Sequence, residues 1–379
     1  MSEKHANSII AIGDGKKELI DPIGTKLVLS KKAIVPAKIQ ENGLVENSDS
    51  PLNQVVGRGK RIAFLTSGGD SQGMNAAIRA IVRVSIYRGC EPYAIFEGYQ
   101  GLVDGGDKIR KFEWNDVAWI LSQGGTIIKT ARCKDFMSRE GRLKAAKHLV
   151  QKGIDCLIVI GGDGSLTGAD LFRSEWKGLL EELVLKKELP IECVKEHGKL
   201  SIVGMVGSID NDMVGTELTI GANSALHRII EAIDCIGSTA YSHQRAFVVE
   251  VMGRHCGWLA LMAAIATGAD WLFIPEAPRK RNEWEDAMCH WISACRSMGK
   301  KTALVILSEG AVDTDNNPIK SEHVKSVLET RLKMDARITT LGHVQRGGIP
   351  SVHDRVLVCS NLIKGNSSRC SGCSNSFRM

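Results

Sequence analysis

Short, nearly continuous apolar runs recur along this chain, and each ends on a glycine or an acid. Run 61–65 leads into Thr66-Ser67-Gly68-Gly69-Asp70, and run 156–160 into Gly161-Gly162-Asp163-Gly164-Ser165. Run 202–206 leads into Gly207-Ser208-Ile209-Asp210-Asn211-Asp212. Runs 93–96, 247–252, 271–274 and 303–307 end in Glu97-Gly98, Gly253-Arg254, Pro275-Glu276 and Ser308-Glu309-Gly310. A strand with one wet face alternates polar and apolar residues, whereas a strand covered on both faces is apolar throughout. Helical periodicity follows several of the runs. Residues 75–88 set Ala77, Ile78, Ile81, Val82 and Ser85 on one face, and 221–235 and 257–267 read the same way. The pattern predicts an α/β fold, a largely parallel sheet with helices on both faces.

The flanks break this rhythm. Residues 1–58 show no sustained period and carry turn-forming clusters such as Asn47-Ser48-Asp49-Ser50-Pro51, so they read as a flexible extension. Residues 59–360 hold the alternating pattern, and 361–379 form a Ser, Gly and Cys tail. Cys370 and Cys373 have CxxC spacing, but no second ligand pair lies near them to complete a zinc site. The charged, helix-prone segment 173–200 reads as a surface excursion.

Composition narrows the function classes. The 379 residues carry 49 basic and 43 acidic side chains, net +6, with no lysine-arginine block that would form a nucleic-acid arm. The longest near-continuous apolar stretch, 258–266, falls short of the ~20 residues of a membrane span, and no secretory signal is visible. Eleven cysteines are scattered, with Cys156, Cys235, Cys289 and Cys295 inside apolar runs. They read as buried, reduced thiols in a cytoplasmic chain, with neither nucleic acid nor membrane as partner.

In a parallel sheet, ligands bind beyond the carboxyl ends of the strands. Asp163, Asp210, Asp212, Arg254 and Glu309 all fall there. The Gly161–Ser165 turn lacks side chains where a phosphate would approach backbone amides and a helix start, and Asp163 suits Mg²⁺, which takes carboxylate oxygen plus phosphate and water. On GGDG alone, a tight turn requiring positive φ reads equally well. No GxxxxGK[ST] loop and no protein-kinase signature occurs, and Gly162, Gly164 and Gly168 have the wrong spacing for a dinucleotide fingerprint. Phosphoryl transfer to an alcohol needs a metal, phosphate clamps and a base. Asp210 is the candidate base, and Asp212 would orient it or reach the magnesium shell through water. Arg132, Arg245, Arg254, Arg337 and Arg346 are the candidate clamps, of which Arg254 and Arg346 adjoin glycine turns.

These motifs, with Gly73-Met74-Asn75-Ala76-Ala77, 251–254 and 341–348, resemble in order and spacing the ATP-dependent 6-phosphofructokinases, over residues 60–358. Segments 98–106 and 165–176 are most similar to the animal type. The resemblance implies two Rossmann-like, mostly parallel-sheet subdomains and phosphoryl transfer from Mg-ATP to the 1-hydroxyl of fructose 6-phosphate. It implies ATP contacts from Gly68, Arg132, Cys133, Gly162, Asp163, Gly164 and Ser165, with Asp163 on magnesium and Asp210 as base. It implies that Ser208, Ile209, Met252, Gly253, Arg254 and Glu309 hold the sugar, and Arg245, Arg337, His343 and Arg346 its phosphate. Arg245 and Arg337 would reach over from a neighbouring subunit, in a homo-oligomer (a tetramer by resemblance) or beside full-length subunits. Arg79 and Arg83 match an effector-phosphate site in bacterial relatives, although a solvated helix face accounts for them as well. Pyrophosphate-dependent relatives carry Asp and Lys where this chain has Gly164 and Gly207, which favours ATP as donor.

Two departures from the family pattern stand out. Lys129-Thr130 occupies the usual place of Gly-Ser, where a lysine would crowd the phosphates or add a clamp. The chain also matches only the amino-terminal, catalytic half of the animal enzyme, and its closing helices look replaced by the tail. The rival expectation is therefore a weakly active isoform that binds or regulates full-length subunits.

Overall fold

The computed structural model describes residues 19–20, 26–27, 59–281 and 283–364, with 360–364 described as backbone only. The expected extension 1–58 lies almost wholly outside the described residues, and so does the CxxC pair of the tail. Leu19–Ile20 (β1) and Lys26–Leu27 (β2) form a two-stranded antiparallel pair in a unit of their own.

From residue 59 the apolar runs become strands, as their uniform composition predicts. Arg61–Ser67 (β3), Glu91–Ile95 (β4), Ile109–Lys111 (β5), Ile154–Gly161 (β6), Ser201–Ser208 (β7) and Ile220–Gly221 (β8) form one sheet in the order β5-β4-β3-β6-β7-β8. All its pairings are parallel except β4 with β5. Ala246–Val251 (β9), Trp271–Phe273 (β10), Ala303–Ser308 (β11) and Ala336–Thr340 (β12) form a second, fully parallel sheet in the order β10-β11-β9-β12.

Each sheet is covered on both faces, and the strand period of two divides its residues between them. Ala63 and Leu65 of β3 face a core shared with Gly98–Asp104 (α2), Arg139–Gln151 (α3) and Asp163–Leu185 (α4). Phe64, between them, faces Met74–Tyr87 (α1) on the other side. The predicted face of α1 is buried at Ala77, Ile78, Ile81, Val82 and Ser85. In the second sheet Ala246 and Val248 pack with Trp284–Ser297 (α8) and Ser321–Leu332 (α9). Phe247, Val249 and Val251 pack with Ala222–His243 (α6) and Trp258–Thr267 (α7). Glu192–Glu196 (α5) and Val352–Lys364 (α10) complete the helices.

Two expectations are corrected. Segment 173–185 is not a surface excursion, because α4 runs unbroken to Leu185, whereas 186–199 is mostly exposed as expected. Phe172, Trp176, Leu179, Leu180 and Leu183 recur at helical spacing and are buried. The alternating Glu and Lys residues drew attention to the wet face and hid this stripe. The cysteines are less buried than expected: Cys235 is exposed and Cys156, Cys289 and Cys295 are half-buried, although all nine described cysteines are free thiols. Helix α10 runs from Val352 to Lys364.

Candidate active site

Strand order decides where a site can form. In the large sheet the chain leaves β3 toward β4 on one side and leaves β6 toward β7 on the other, so the loops after β3 and β6 part and open a crevice. Ser67 and Gly161 sit side by side in register at its base. The resulting cleft, about 680 Å³, is lined by Gly68, Arg132, Cys133, Gly162, Asp163, Gly164 and Ser165, all of which the sequence pointed to. Ser208, Asp210, Asp212 and Arg346 line it too.

The start of α4 faces this cleft. Gly162 is its N-cap and no side chain caps it, while Asp163 is the acid of its first turn and is exposed. Free first-turn amides and the helix dipole make such a terminus an anion site. A Cβ on Gly164 would meet nothing within 4 Å, so that position opens onto space. Gly207 is different, because a Cβ there would come within 2.9 Å of Met74.

Sequence reading missed the cleft's apolar wall. Tyr99 and Phe136 stack at 4.1 Å and 22°, and the Tyr99 hydroxyl donates to the Ser165 carbonyl at 2.7 Å. Phe136 is held by its own N–H to Cys133 Sγ (3.3 Å), while burial pushes the Cys133 thiol up. Buried Arg142 ties the wall to α4, donating to the Phe136 and Met137 carbonyls and, twice, to the Glu175 carboxylate. Aromatic spacing alone gave no signal, because these residues lie far apart in the chain.

Lys129 does not enter the cleft. It adopts a left-handed backbone (φ 61°), a conformation that favours glycine. Its side chain is exposed, lies outside the cleft lining and is close enough to Glu97 to help lower that carboxyl, after the dominant hydrogen bond from Lys108. Its carbonyl accepts from the Thr66 hydroxyl at 2.9 Å, and the Thr130 hydroxyl donates to the Gly68 carbonyl at 3.0 Å.

The acidic motif caps β7. Asn211 takes φ 55°, a left-handed turn that Asn tolerates, and its amide oxygen accepts from the Thr219 N–H at 2.9 Å. The Thr219 hydroxyl donates to the Ser208 carbonyl, so the loop is braced from behind. Asp210 projects inward, and its Oδ1 is buried without a hydrogen-bond partner. Burial raises its pKa above the ordinary value. Among nearby charges, Arg346 and His255 lower it and Asp212 and Glu309 raise it. His255 had drawn no notice in the sequence. Ile209 is fully buried in the core beneath, which leaves only its backbone to face a ligand.

The small sheet supplies the opposing rim. Glu309 follows β11, and its N–H donates to the Val251 carbonyl at 2.8 Å, next to Met252 and Gly253. Gly253 has φ 138°, and a Cβ there would sit 2.2 Å from the Cys256 carbonyl oxygen. Arg254 and His343 are exposed at the same ends of the sheet. Arg245 and Arg337 are not there. They stand at the amino ends of β9 and β12, roughly 20 Å back along the strand for Arg245 and roughly 13 Å for Arg337 at ~3.3 Å per residue, and both pair with Asp335. Arg79 and Arg83, on α1, have buried Nε atoms without partners, and Arg83 lies over the Trp114 ring at 4.5 Å.

Among the described residues no group of three or more His, Cys, Asp or Glu side chains is arranged to hold a metal. A single carboxylate beside phosphate-binding amides suits a cation that arrives with a phosphate ligand. No helix of the described residues is long and apolar enough to cross a membrane.

The family model for phosphofructokinase matches residues 61–364. The chain belongs to the phosphofructokinase family. It is 60% identical over 306 residues to the platelet-type ATP-dependent 6-phosphofructokinase of Rattus norvegicus, covering 81% of this chain and 39% of that one. It is 60% identical over 299 residues to ATP-dependent 6-phosphofructokinase 1 of Aspergillus oryzae, covering 79% of this chain and 38% of that one. Among solved structures it superposes on the phosphofructokinase of Saccharomyces cerevisiae with a TM-score of 0.78 at 54% identity, over 80% of this chain and 41% of that one. A pyrophosphate-dependent phosphofructokinase from Marinobacter aquaeolei shares the fold, with a TM-score of 0.63 at 18% identity over 81% of this chain and 76% of that one. The chain thus spans about two fifths of the length of the curated relatives it matches.

Proposed function

We propose that this chain transfers a phosphoryl group from ATP to the 1-hydroxyl of fructose 6-phosphate, giving fructose 1,6-bisphosphate and ADP, as a cytosolic step of glycolysis. The observation that carries the proposal is Asp210, whose buried, unpartnered Oδ1 lies in the same cleft as the uncapped start of α4. A carboxylate oxygen without a partner, in a place where burial raises its basicity, is suited to accept a proton from an alcohol.

The α4 amides and the Gly68 loop receive the donor's phosphates, with Arg132 as a cationic clamp and the Tyr99–Phe136 wall beside the base. Asp163 would hold Mg²⁺, which when bound supplies charge neutralisation between the phosphates. Gly164 leaves room for the adenosine end, which supports ATP over pyrophosphate. Ser208, the Ile209 backbone, Met252, Gly253, Arg254 and Glu309 hold the sugar, and His343 and Arg346 its phosphate. Asp212 orients Asp210. Arg245 and Arg337 act on the site of a neighbouring copy, in keeping with their distance from the carboxyl ends of their own strands. Arg79 and Arg83 are open to an anionic effector.

Asp210→Asn tests the assignment. The variant is expected to lower kcat by ~10²-fold or more while the ATP dissociation constant stays within error. The pH profile carries the same signature. Because the Asp210 pKa is raised, the base is protonated as pH falls through that raised value, so the acid limb of kcat/KM, which reports the free enzyme, lies above that of an ordinary aspartate. In the variant that limb is absent from the residual rate. A loss confined to ATP binding would instead make Asp210 a metal or nucleotide ligand.

A further inference from the structure

Gln72 lies in the loop between β3 and α1, has no assigned part in the site and is completely buried. Its amide nitrogen donates to two carbonyls at once, those of Gln345 (2.7 Å) and Gly347 (2.8 Å). Those two residues flank Arg346. One side-chain amide of the large subdomain therefore grips the backbone of the small subdomain's loop on both sides of its cleft-facing arginine.

The same loop shapes the path of the arginine side chain. Arg346 Nη1 donates to the Asp70 carbonyl at 3.1 Å, and a Cβ on Gly69 would lie 2.5 Å from that nitrogen. Gln345, also fully buried, extends the link by accepting from the Met252 N–H (3.1 Å) and donating to the Gly342 carbonyl (2.9 Å). A continuous set of hydrogen bonds thus joins the loop beside the nucleotide cleft to the residues at the sugar rim. A side chain that only filled core volume would be apolar here. Burying an amide costs free energy unless its hydrogen bonds are made; here Nε2 directs both protons to a single tripeptide, while Oε1 is buried without a partner.

We propose that Gln72 is a positioning residue: it holds Arg346 at the junction of the two subdomains, so that occupancy of the nucleotide-side loop and capture of the sugar phosphate share one geometry. The part concerning the sugar phosphate rests on the function proposed above. The part concerning Arg346 does not.

The test uses the full chain and Gln72→Met, which keeps the volume and removes both hydrogen bonds. Arginine labelling by phenylglyoxal, mapped by peptide mass spectrometry, reads the hold on Arg346 directly. Arg346 is expected to label several-fold faster in the variant, while exposed Arg254 labels at an unchanged rate. Calorimetry with fructose 6-phosphate and with ATP gives the functional half. The sugar phosphate is expected to bind roughly tenfold more weakly, the scale of two lost hydrogen bonds, with ATP affinity within twofold. Val324→Ala, which opens a cavity in the distant core of the small sheet, controls for lost stability and is expected to leave both readouts unchanged. Should Gln72→Met not fold, Gln72→Asn, with its amide on a shorter stem, is read the same way. Unchanged Arg346 labelling in a folded Gln72 variant overturns the proposal, as does an equal loss of both ligands. If the unmodified chain binds neither ligand, the functional reading fails, and the labelling still decides whether Gln72 holds Arg346.

Discussion

At the scale of single residues, the site depends on which positions lack a side chain as much as on which carry one. Gly164 points its absent Cβ into open cleft, so the fold does not need the glycine there. Gly164→Asp is accordingly expected to leave the melting temperature nearly unchanged and to raise the KM for ATP by roughly tenfold or more, since an added carboxylate opposes the phosphates. Steady-state kinetics beside a thermal melt checks this, and unaffected ATP kinetics would defeat the reading of Gly164 as the position left clear for ATP. Asp210 was legible from its place at a strand end, because spacing shows which side chains share a rim. Its unpaired oxygen was not legible. The charges of Arg346, His255 and Glu309, which act on it, come from segments that follow other strands. Gln72 was invisible for the same reason, since both carbonyls it grips lie more than 270 residues away.

At the scale of elements, strands were the easiest to read, because burial on both faces leaves an unbroken apolar run. Helix α4 was harder: its buried stripe is interleaved with Glu and Lys, so local charge outweighed the helical period. Helix ends were harder still. The start of α6 is capped not by a neighbour in sequence but by Asp354 of α10, which is fully buried. It accepts from the N–H groups of Gly221 (2.9 Å) and Ser224 (3.0 Å) and from the Ser224 hydroxyl. Asp354→Ala would strand three donors, and is expected to cost about 3 kcal/mol, read from the midpoint of urea unfolding. A change below ~0.5 kcal/mol would mean that water or relaxation replaces the cap.

At the scale of the whole molecule, two largely parallel sheets present their carboxyl ends to one another, and the candidate site lies where both contribute. The α/β class and the common rim were readable from the repeated motif alone. The division into two sheets was implied only by the family resemblance and not by the repeat, and the placement of Arg245 and Arg337 at the far ends of their strands needed the fold. Those two arginines stand away from the cleft of their own chain, so their proposed part requires a second copy. The central claim is phosphoryl transfer to the sugar, and it is tested most directly by incubating the purified, size-characterised chain with γ-³²P-labelled ATP and fructose 6-phosphate, alongside Asp210→Asn. The prediction is label in fructose 1,6-bisphosphate, rising with time and falling ~10²-fold in the variant. A folded chain that binds ATP yet labels the sugar no faster than Asp210→Asn would contradict it.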